Sequence, residues 1–503
     1  MRASDRLPSS YNAARWFVGR HVAEGRGKNL ALVGDGFSLT YAQLDEAVRR
    51  FAGALQKAGV HRGDRVALIQ FDTPQLAIGF WGSIAAGAVA VPINTLLKPA
   101  DHQRILEDCD ARLVVADPAI VPDAKSLAPR DAICWTPGQV DAEPIAEYAP
   151  THRDAFAFFL YSSGTTGEPK GVVHLQHDMQ VCCETYGKSV LQTRESDRAF
   201  SIAKLFFAYG LGNAQYFPFH VGASSVLFAG RPTPEAVFEQ VRKHRPTLFF
   251  GVPTAYAMML AAMDGGAKAD FSSVRTCASA GESLPAALFE RWKAKTGLTI
   301  LDGIGSTEIC HIFLSNFPGK VRPGSTGIPV PGYDLRLVDD TGSDVPRGEL
   351  GDLLVRGDST MALYWNKHEA TKAALKGDWI RTGDKYSQDK DGYFFHGGRS
   401  DDMLKVSGQW VSPVEVEAAL ISHPSVLECA VVGEVDSDGL TKPHAFVTLR
   451  PSASAPGLEE SLKAFAKEKL AGFKCPRWVS VIEELPKTAT GKIQRFLLRA
   501  RPR

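Results

Sequence analysis

The stretch Tyr161-Ser162-Ser163-Gly164-Thr165-Thr166-Gly167-Glu168-Pro169-Lys170-Gly171 constrains this chain more than any other. It follows Ala155-Phe156-Ala157-Phe158-Phe159-Leu160, a short apolar run rich in Phe that reads as a buried strand. The stretch is therefore expected to be a loop at a strand end, a usual place for a ligand. Its glycines let backbone come close to a ligand, its hydroxyls and N–H groups face outward, and Lys170 adds a point charge. These are the parts of a phosphate cradle. A Walker loop would end in Gly-Lys-Ser/Thr, whereas Lys170 follows Pro169 and precedes Gly171, so this loop is of another kind. A flexible linker also uses Ser, Thr and Gly, but Pro-Lys-Gly close behind a Phe-rich strand argues against one.

A chain of 503 residues is too long for one ordinary domain, so two or three lobes are expected. With 57 basic against 56 acidic residues and a formal net charge of +1, nothing calls for nucleic acid or an anionic membrane, and the expected partner is a small molecule. The 8 cysteines include no Cys-x-x-Cys, which suggests neither a zinc site nor a disulfide framework; reduced thiols in a cytoplasmic protein are the default expectation. Met1 to Tyr11 has no apolar core of a signal peptide. Thr73 to Leu97 lacks charges, yet Pro74, Gln75, Pro92 and Asn94 divide it into a buried helix around Leu76 to Ala86 and a strand Ala88 to Pro92 rather than a membrane span.

From residue 30 onward, short apolar strands such as Arg65–Ile69 and Leu113–Ala116 alternate with amphipathic segments such as Tyr41–Ala58. The fold class expected is α/β: a large N-terminal domain of parallel or mixed sheets with flanking helices, plus a small α+β C-terminal domain. The charged, glycine-bearing segment Asp389 to Asp402 precedes a region with its own strand (Glu428–Gly433) and helix (Leu458–Leu470), which puts a domain boundary near Arg399, between 1–399 and 400–503. Ser201 to Asn213, apolar and aromatic but broken by glycines, reads on its own as core. Ser279-Ala280-Gly281-Glu282 and Leu301-Asp302-Gly303-Ile304-Gly305-Ser306-Thr307-Glu308 each follow an apolar run and would face the phosphate loop from strand ends. Glu308 offers the hard oxygen that Mg²⁺ bridging phosphates would use, although a lone loop glutamate is common. A lone histidine such as His311 is more often structural.

Ser-Ser-Gly-Thr-Thr-Gly-x-Pro-Lys-Gly resembles the signature loop of the adenylate-forming superfamily, which holds acyl- and aryl-CoA synthetases, peptide-synthetase adenylation domains and beetle luciferases. The whole chain, including Tyr11–Ala14, Asn94–Leu97, Lys204–Asn213 and Gly303–Phe313, looks like the benzoate-CoA ligase branch. The resemblance implies that Ser162, Ser163, Gly164, Thr165, Thr166, Gly167 and Lys170 hold the β- and γ-phosphates of ATP. It implies that Gly281, Asp302, Gly303, Ile304 and Gly305 line the adenine pocket, that Glu282 and Ser306 belong to the same cofactor-binding segments, that Thr307 reaches the α-phosphate, and that Glu308 ligates magnesium. Many family members carry an aromatic where Ile304 stands, so Ile304 is also expected to shape the acid pocket.

By the same resemblance, Asp384 and Arg399 contact ribose, and Asp401 is the hinge of the small domain. Lys405 and Gly408 belong to the loop that forms the pantetheine tunnel, and Lys492, within Pro486 to Arg495, is the adenylation lysine. Lys492, Thr307 and Glu308 form the implied catalytic set. Ala203, Phe207, Ala208, Tyr209, Gly210, Ile304 and His311 form the implied acid pocket. Lys474 reads as a solvated surface lysine rather than a contact to CoA phosphate. The implied activity joins benzoate or a hydroxybenzoate to coenzyme A with ATP and Mg²⁺, through an aryl-adenylate. The alternatives are a ligase for an alicyclic, furoic or medium-chain acid, one that loads a carrier protein, and a non-catalytic nucleotide binder. A homodimer and a lysine acetyltransferase acting on Lys492 complete the expected partners.

Overall fold

The structure, a computed structural model, describes residues 4–139, 142–163, 169–400, 402–406, 409–437, 439–450, 453, 457–487 and 493–499. Among them, most strands fall into three large sheets and one smaller one. A seven-stranded sheet runs Leu363–Tyr364, Pro169–Leu175, Phe156–Ser163, Val89–Pro92, Arg65–Ile69, Ala111–Ala116 and Ile133–Trp135. Its last five strands are parallel, as apolar strands linked by helices require, and its first two join antiparallel. A nine-stranded sheet has at its centre the parallel strands Arg198–Ser201, Leu248–Gly251, Thr276–Ser279 and Ile300–Gly305.

Sequence accounts for the helices that clothe these sheets. Tyr41–Lys57 opens on a capping box in which the Thr40 side chain accepts from Gln43 N while the Gln43 side chain accepts from Thr40 N. The helix then buries Leu44, Val48, Phe51 and Leu55 along one face. Pro74–Ala85 starts with Pro at its first position and is buried nearly all round, with Trp81 fully inside. This explains its lack of charges, and among the described residues no helix is long and apolar enough to cross a membrane.

Three features differ from the sequence reading. Tyr161 to Gly171 is less of a loop than expected: the strand runs on to Ser163 and the chain returns antiparallel from Pro169, with Ser163 opposite Pro169 and Ser162 opposite Lys170. Gly164 to Glu168 lie outside the described residues. The charged segment from Asp389 is no linker at its start, because the Asp389 carboxylate accepts from the amides of Asp391 and Tyr393 and turns the chain into the strand Phe394–Arg399. That strand belongs to a five-stranded, wholly antiparallel sheet with Tyr333–Val338, Gly351–Gly357, Leu375–Lys376 and Trp379–Gln388, which strand–helix alternation does not announce.

A cluster around Val411, Leu420, Val431, Val447 and Leu462 forms a core of its own, covered by a three-stranded sheet of Val426–Val435, Thr441–Leu449 and Trp478–Val481. The main core instead joins the seven- and nine-stranded sheets through Trp81, Phe158, Tyr216 and Phe313.

The N-terminal ends of the central strands are tied by one buried carboxylate. Asp197 accepts from Arg275 Nε at 2.9 Å and Nη2 at 2.6 Å, from Thr247 Oγ1 at 2.7 Å and from Arg194 N at 2.8 Å. Burial pushes this carboxyl up, but Arg275, Thr247 and the Arg194 amide together hold it below the usual carboxylate range. Its stabilisation is thus fully present above the ordinary carboxylate value and is lost as pH falls through the lower folded-state value. Asp197→Asn is expected to destabilise the fold by about 3 kcal/mol at neutral pH, with the difference shrinking in acid, as read by denaturant unfolding across pH.

Candidate active site

The C-terminal ends of the central strands meet the hairpin of the signature stretch. Lys170 extends from the strand Pro169–Leu175 over the ring of Tyr364, with Nζ 5.3 Å from its centroid. The Tyr364 hydroxyl donates to Glu308 Oε1 at 2.9 Å. Burial pushes the Tyr364 phenol up and Glu308 reinforces this, while the charge of Arg399 opposes it. Lys170, Glu308 and Arg399, far apart in sequence, are thereby gathered about one tyrosine. Ser162 lies beside them in the hairpin and is half-buried.

Glu308 sits on a short turn whose approach is built by glycine. The strand Ile300–Gly305 pairs parallel with Thr276–Ser279 on one side and antiparallel with Ile312–Ser315 on the other, so the chain doubles back within a few residues. A Cβ at Gly305 would lie 2.5 Å from the carbonyl oxygen of His311, which only glycine avoids. Ser306 precedes the 3₁₀ turn Thr307–Ile309, and Cys310 leaves it at φ 72°, rare for a residue with a side chain.

The carbonyls of the turn are held from outside: Thr307 O by His174 Nε2 at 2.7 Å, Glu308 O by Met361 N at 2.7 Å, and Ile309 O by Ser359 Oγ at 2.9 Å. Among the described residues no group of three or more His, Cys, Asp or Glu could hold a metal by itself. A single carboxylate fits Mg²⁺ that is carried mainly by substrate phosphates and water.

The stretch Ala203 to Gly210 forms an apolar wall. Ala203, Phe207 and Tyr209 are half-buried, Ala208 is buried, and a Cβ at Gly210 would stand 2.0 Å from Lys204 O. Gly210 thus allows the wall to fold on itself, a packing role beside the substrate contact expected of it. Behind the wall, the His311 ring is caged by Tyr186, Tyr209, Tyr216 and Phe217, at centroid distances of 5.3, 5.6, 6.1 and 4.6 Å. Burial pushes His311 down to about 3, so it is neutral at any working pH. Its Nε2 faces Tyr209 O at 3.3 Å and therefore carries the proton, which leaves Nδ1 as an acceptor. Nδ1 is buried without a protein partner, and the hydroxyls of Tyr186 and Tyr209 and Asn213 Oδ1 are buried with no hydrogen bond of good geometry, although Ser315 stands beside Tyr186 and Asn213 beside Tyr209.

Ile304 is half-buried against the same core, and Asp302 beside it is buried with its carboxyl pushed well above the usual range by desolvation. Sequence reading overlooked the anchor of the wall, Asp72. Its two oxygens accept from Leu205 N at 3.2 and 3.3 Å, while Lys204 next door donates to the carbonyls of Phe228 and Gly230. Burial pushes Asp72 up to about 6, against the pull of Lys204 and the Leu205 amide.

Asp384 and Arg399 lie opposite each other on neighbouring strands, with Oδ1 and Nη1 3.4 Å apart. His396 links them to the Gly281–Glu282 segment, since it stands 3.6 Å from Asp384 and 2.8 Å from Ser283 Oγ. Gly281 takes φ 95° at the exposed turn there. Glu282 adds its charge to the field at Arg495, which also grips Glu417 through both carboxylate oxygens. Lys405 is exposed on the strand Leu404–Val406, and Lys474 is paired with Glu415 at 2.7 Å. Gly164, Thr165, Thr166, Gly167, Asp401, Gly408 and Lys492 lie outside the described residues, as does the side chain of Ser163. Tyr364, His174 and Asp72 went unnoticed in the sequence because each is a single residue outside any motif; Leu363-Tyr364-Trp365 carries no pattern that would single it out.

The hairpin with Lys170, the Glu308 turn, the Asp384–Arg399 pair and the apolar aromatic wall stand at the strand ends of an α/β protein. The chain belongs to the AMP-binding enzyme family, whose profile matches residues 19–365, with the AMP-binding enzyme C-terminal domain matching residues 415–492. It is 46% identical to a benzoate–CoA ligase of Thauera aromatica, over 98% of this chain and 97% of that one. It is 44% identical to a 4-hydroxybenzoate–CoA/benzoate–CoA ligase of Rhodopseudomonas palustris, over 97% and 94%. The crystal structure of the anthranilate CoA ligase AuaEII in complex with anthranoyl-AMP superposes with a TM-score of 0.95 at 44% identity, covering 99% of this chain and 98% of that one.

The raised Asp72 carboxyl has a definite sign in stability. Because the fold favours its neutral form, its contribution weakens as pH rises from the ordinary carboxylate value to about 6 and is level above that. Asp72→Asn does not titrate. Relative to the parent it should gain about 2–3 kcal/mol between about pH 4 and pH 7 in denaturant unfolding, and a flat difference would show that Asp72 is not the titrating group.

Proposed function

We propose that this chain is an ATP-dependent aryl-CoA ligase that converts benzoate or a hydroxybenzoate to its CoA thioester, releasing AMP and pyrophosphate. The observation that carries the reading is near full-length likeness to benzoate–CoA ligases in a chain whose own candidate acid-pocket wall is apolar and aromatic, with the Lys204 ammonium tied to the Phe228 and Gly230 carbonyls and a neutral His311 behind it. Such a wall suits a flat ring and leaves the carboxylate as the one charged part of the substrate.

A carboxylate does not react with a thiol at neutral pH because oxide would have to leave. In the first half-reaction a carboxylate oxygen attacks the α-phosphorus of ATP and pyrophosphate departs, giving the aryl-adenylate. Lys170 and the signature hairpin hold the β- and γ-phosphates, Thr307 meets the α-phosphate, and Lys492 neutralises charge gathering on the transferring oxygens. Mg²⁺ held at Glu308 would supply further positive charge to the phosphates. Asp384 accepts from the ribose hydroxyls, beside Arg399. The segments around Gly281 and Asp302 to Gly305 line the adenine pocket. In the second half-reaction residues 400–503 turn about Asp401 relative to 1–399, Lys492 withdraws, and the loop of Lys405 and Gly408 lines the path of the CoA thiol, which attacks the acyl carbon as AMP leaves. The reading places the enzyme in the cytoplasm as a homodimer, with Lys492 open to a lysine acetyltransferase that would cancel its charge. Only unmodified Lys492 in protein from cells lacking deacetylase would count against that last part.

The test is pyrophosphate release with ATP and Mg²⁺ against benzoate, the three hydroxybenzoates, 2-furoate, cyclohexanecarboxylate, cinnamate and hexanoate, each with and without CoA. An aryl acid should turn over fast only when CoA clears the adenylate; a response confined to alicyclic or fatty acids would overturn the pocket reading. Lys492→Ala should lower adenylation about 10²-fold or more yet still convert supplied aryl-adenylate to thioester. Equal loss of both half-reactions would sink that division of labour.

A further inference from the structure

A fully buried His–Asp pair stands behind the Thr307–Ile309 turn, and none of the steps above uses it. His174 lies on the strand Pro169–Leu175, opposite Phe158, with its ring stacked on the Phe158 ring at 5.0 Å. Its Nδ1 meets Asp178 Oδ2 at 2.7 Å and its Nε2 meets Thr307 O at 2.7 Å. Asp178 Oδ2 also receives the Leu175 amide at 3.1 Å, and Thr307 O can only accept, so Nε2 carries a proton and donates to the turn. With Asp178 as its carboxylate, Nδ1 donates as well and Asp178 is the counter-ion of the ring. His174 and Asp178 are wholly shielded from solvent, and Asp178 Oδ1 lies 3.2 Å from His177 Nε2.

A buried ion pair is weak evidence for stability, so its geometry must be read for what it positions. His174 is four residues from Lys170 on one strand, and residues so spaced share a face. The strand that carries Lys170 is thereby docked by a short charge-assisted bond onto the turn that carries Glu308. That turn is a single 3₁₀ turn followed by a residue at positive φ, a conformation that persists only when its surroundings over-determine it.

We propose that His174, with Asp178 as counter-ion, is a positioning residue for adenylation that sets the spacing between Lys170 and the Thr307–Glu308 turn. The proposal rests on the reading that this turn handles the nucleotide phosphates.

The test compares His174→Leu with His174→Gln in both half-reactions on the same preparations. Gln places an N–H donor near the position of Nε2, so it can still reach Thr307 O, whereas Leu cannot. In His174→Leu, kcat/KM for ATP in pyrophosphate release should fall about ten- to hundred-fold, the loss expected for one charge-assisted bond. Thioester formation from supplied aryl-adenylate and CoA should stay within about two-fold, and His174→Gln should recover most of the adenylation loss. Unchanged ATP kinetics in His174→Leu, equal loss in both half-reactions, or no recovery in His174→Gln would each overturn the proposal. Glu308→Gln run alongside separates the two readings: if it keeps full adenylation, the reading of the turn fails, whereas its loss with His174→Leu unaffected sinks the positioning role alone.

Discussion

Three consecutive carbonyls, on Thr307, Glu308 and Ile309, are each met by a donor from outside the turn, and two separate segments supply the three donors. A lone 3₁₀ turn satisfies few of its own polar groups, and this one ends in Cys310 at φ 72°, so it cannot hold its shape unaided. His174 comes from the strand behind the signature hairpin, and Met361 and Ser359 from the segment leading to Tyr364. That segment is tied in turn by the Tyr333 hydroxyl at 2.7 Å from Ser359 Oγ. The Glu308 side chain is thus aimed by contacts made to its backbone.

The same logic brings the large sheets into register at the site. Tyr364 belongs to an edge strand of the seven-stranded sheet, pairing with Val172, yet its hydroxyl reaches Glu308 beyond the nine-stranded sheet. A hydrogen bond to a charged acceptor contributes about 1.5–3 kcal/mol, and with the His174 bond to Thr307 O and the Leu205 bond to Asp72 it fixes the distance between two sheets whose remaining contact is largely apolar packing. Apolar burial is non-directional and tolerates sliding; the polar bridges do not. The division suits the proposed site, in which Lys170 on one sheet and Glu308 on the other would flank the same phosphates.

Much of the architecture was legible because it rests on local pattern. The run Arg65–Ile69 became a central strand, and the uncharged stretch from Thr73 resolved into helix Pro74–Ala85 and strand Val89–Pro92, close to where composition placed them. The motif residues Asp384 and Arg399 proved to be cross-strand neighbours. What stayed hidden depends on pairing over long separations. That Pro169 returns antiparallel beside Ser163 is decided by the sheet on either side, and the five-stranded sheet is built from segments whose charges, such as Asp389 and Asp391 facing Arg322, look like those of a linker until their partners are known. Asp72 and His174 are single polar residues in apolar surroundings, and nothing local tells such a residue from an ordinary turn or core position.

The wall proposed as the acid pocket shows how apolar surroundings can still hold particular polar atoms. Neutral His311, with Nε2 turned to Tyr209 O, presents Nδ1 as a lone-pair acceptor, and the Tyr186 and Tyr209 hydroxyls and Asn213 Oδ1 lie buried with no hydrogen bond of good geometry in the same region. Buried polar atoms are normally satisfied, so such a group near a wall is where water or a ring substituent would be bonded. A one-carbon change in an apolar pocket alters affinity by only about 1–3 kcal/mol, whereas an unmatched polar group in a site built to bond it discriminates far more strongly. On the proposed reading of this wall as the acid pocket, discrimination among ring acids lies less in its breadth around Ala208 than in which of these buried polar atoms a substituent on the ring can reach.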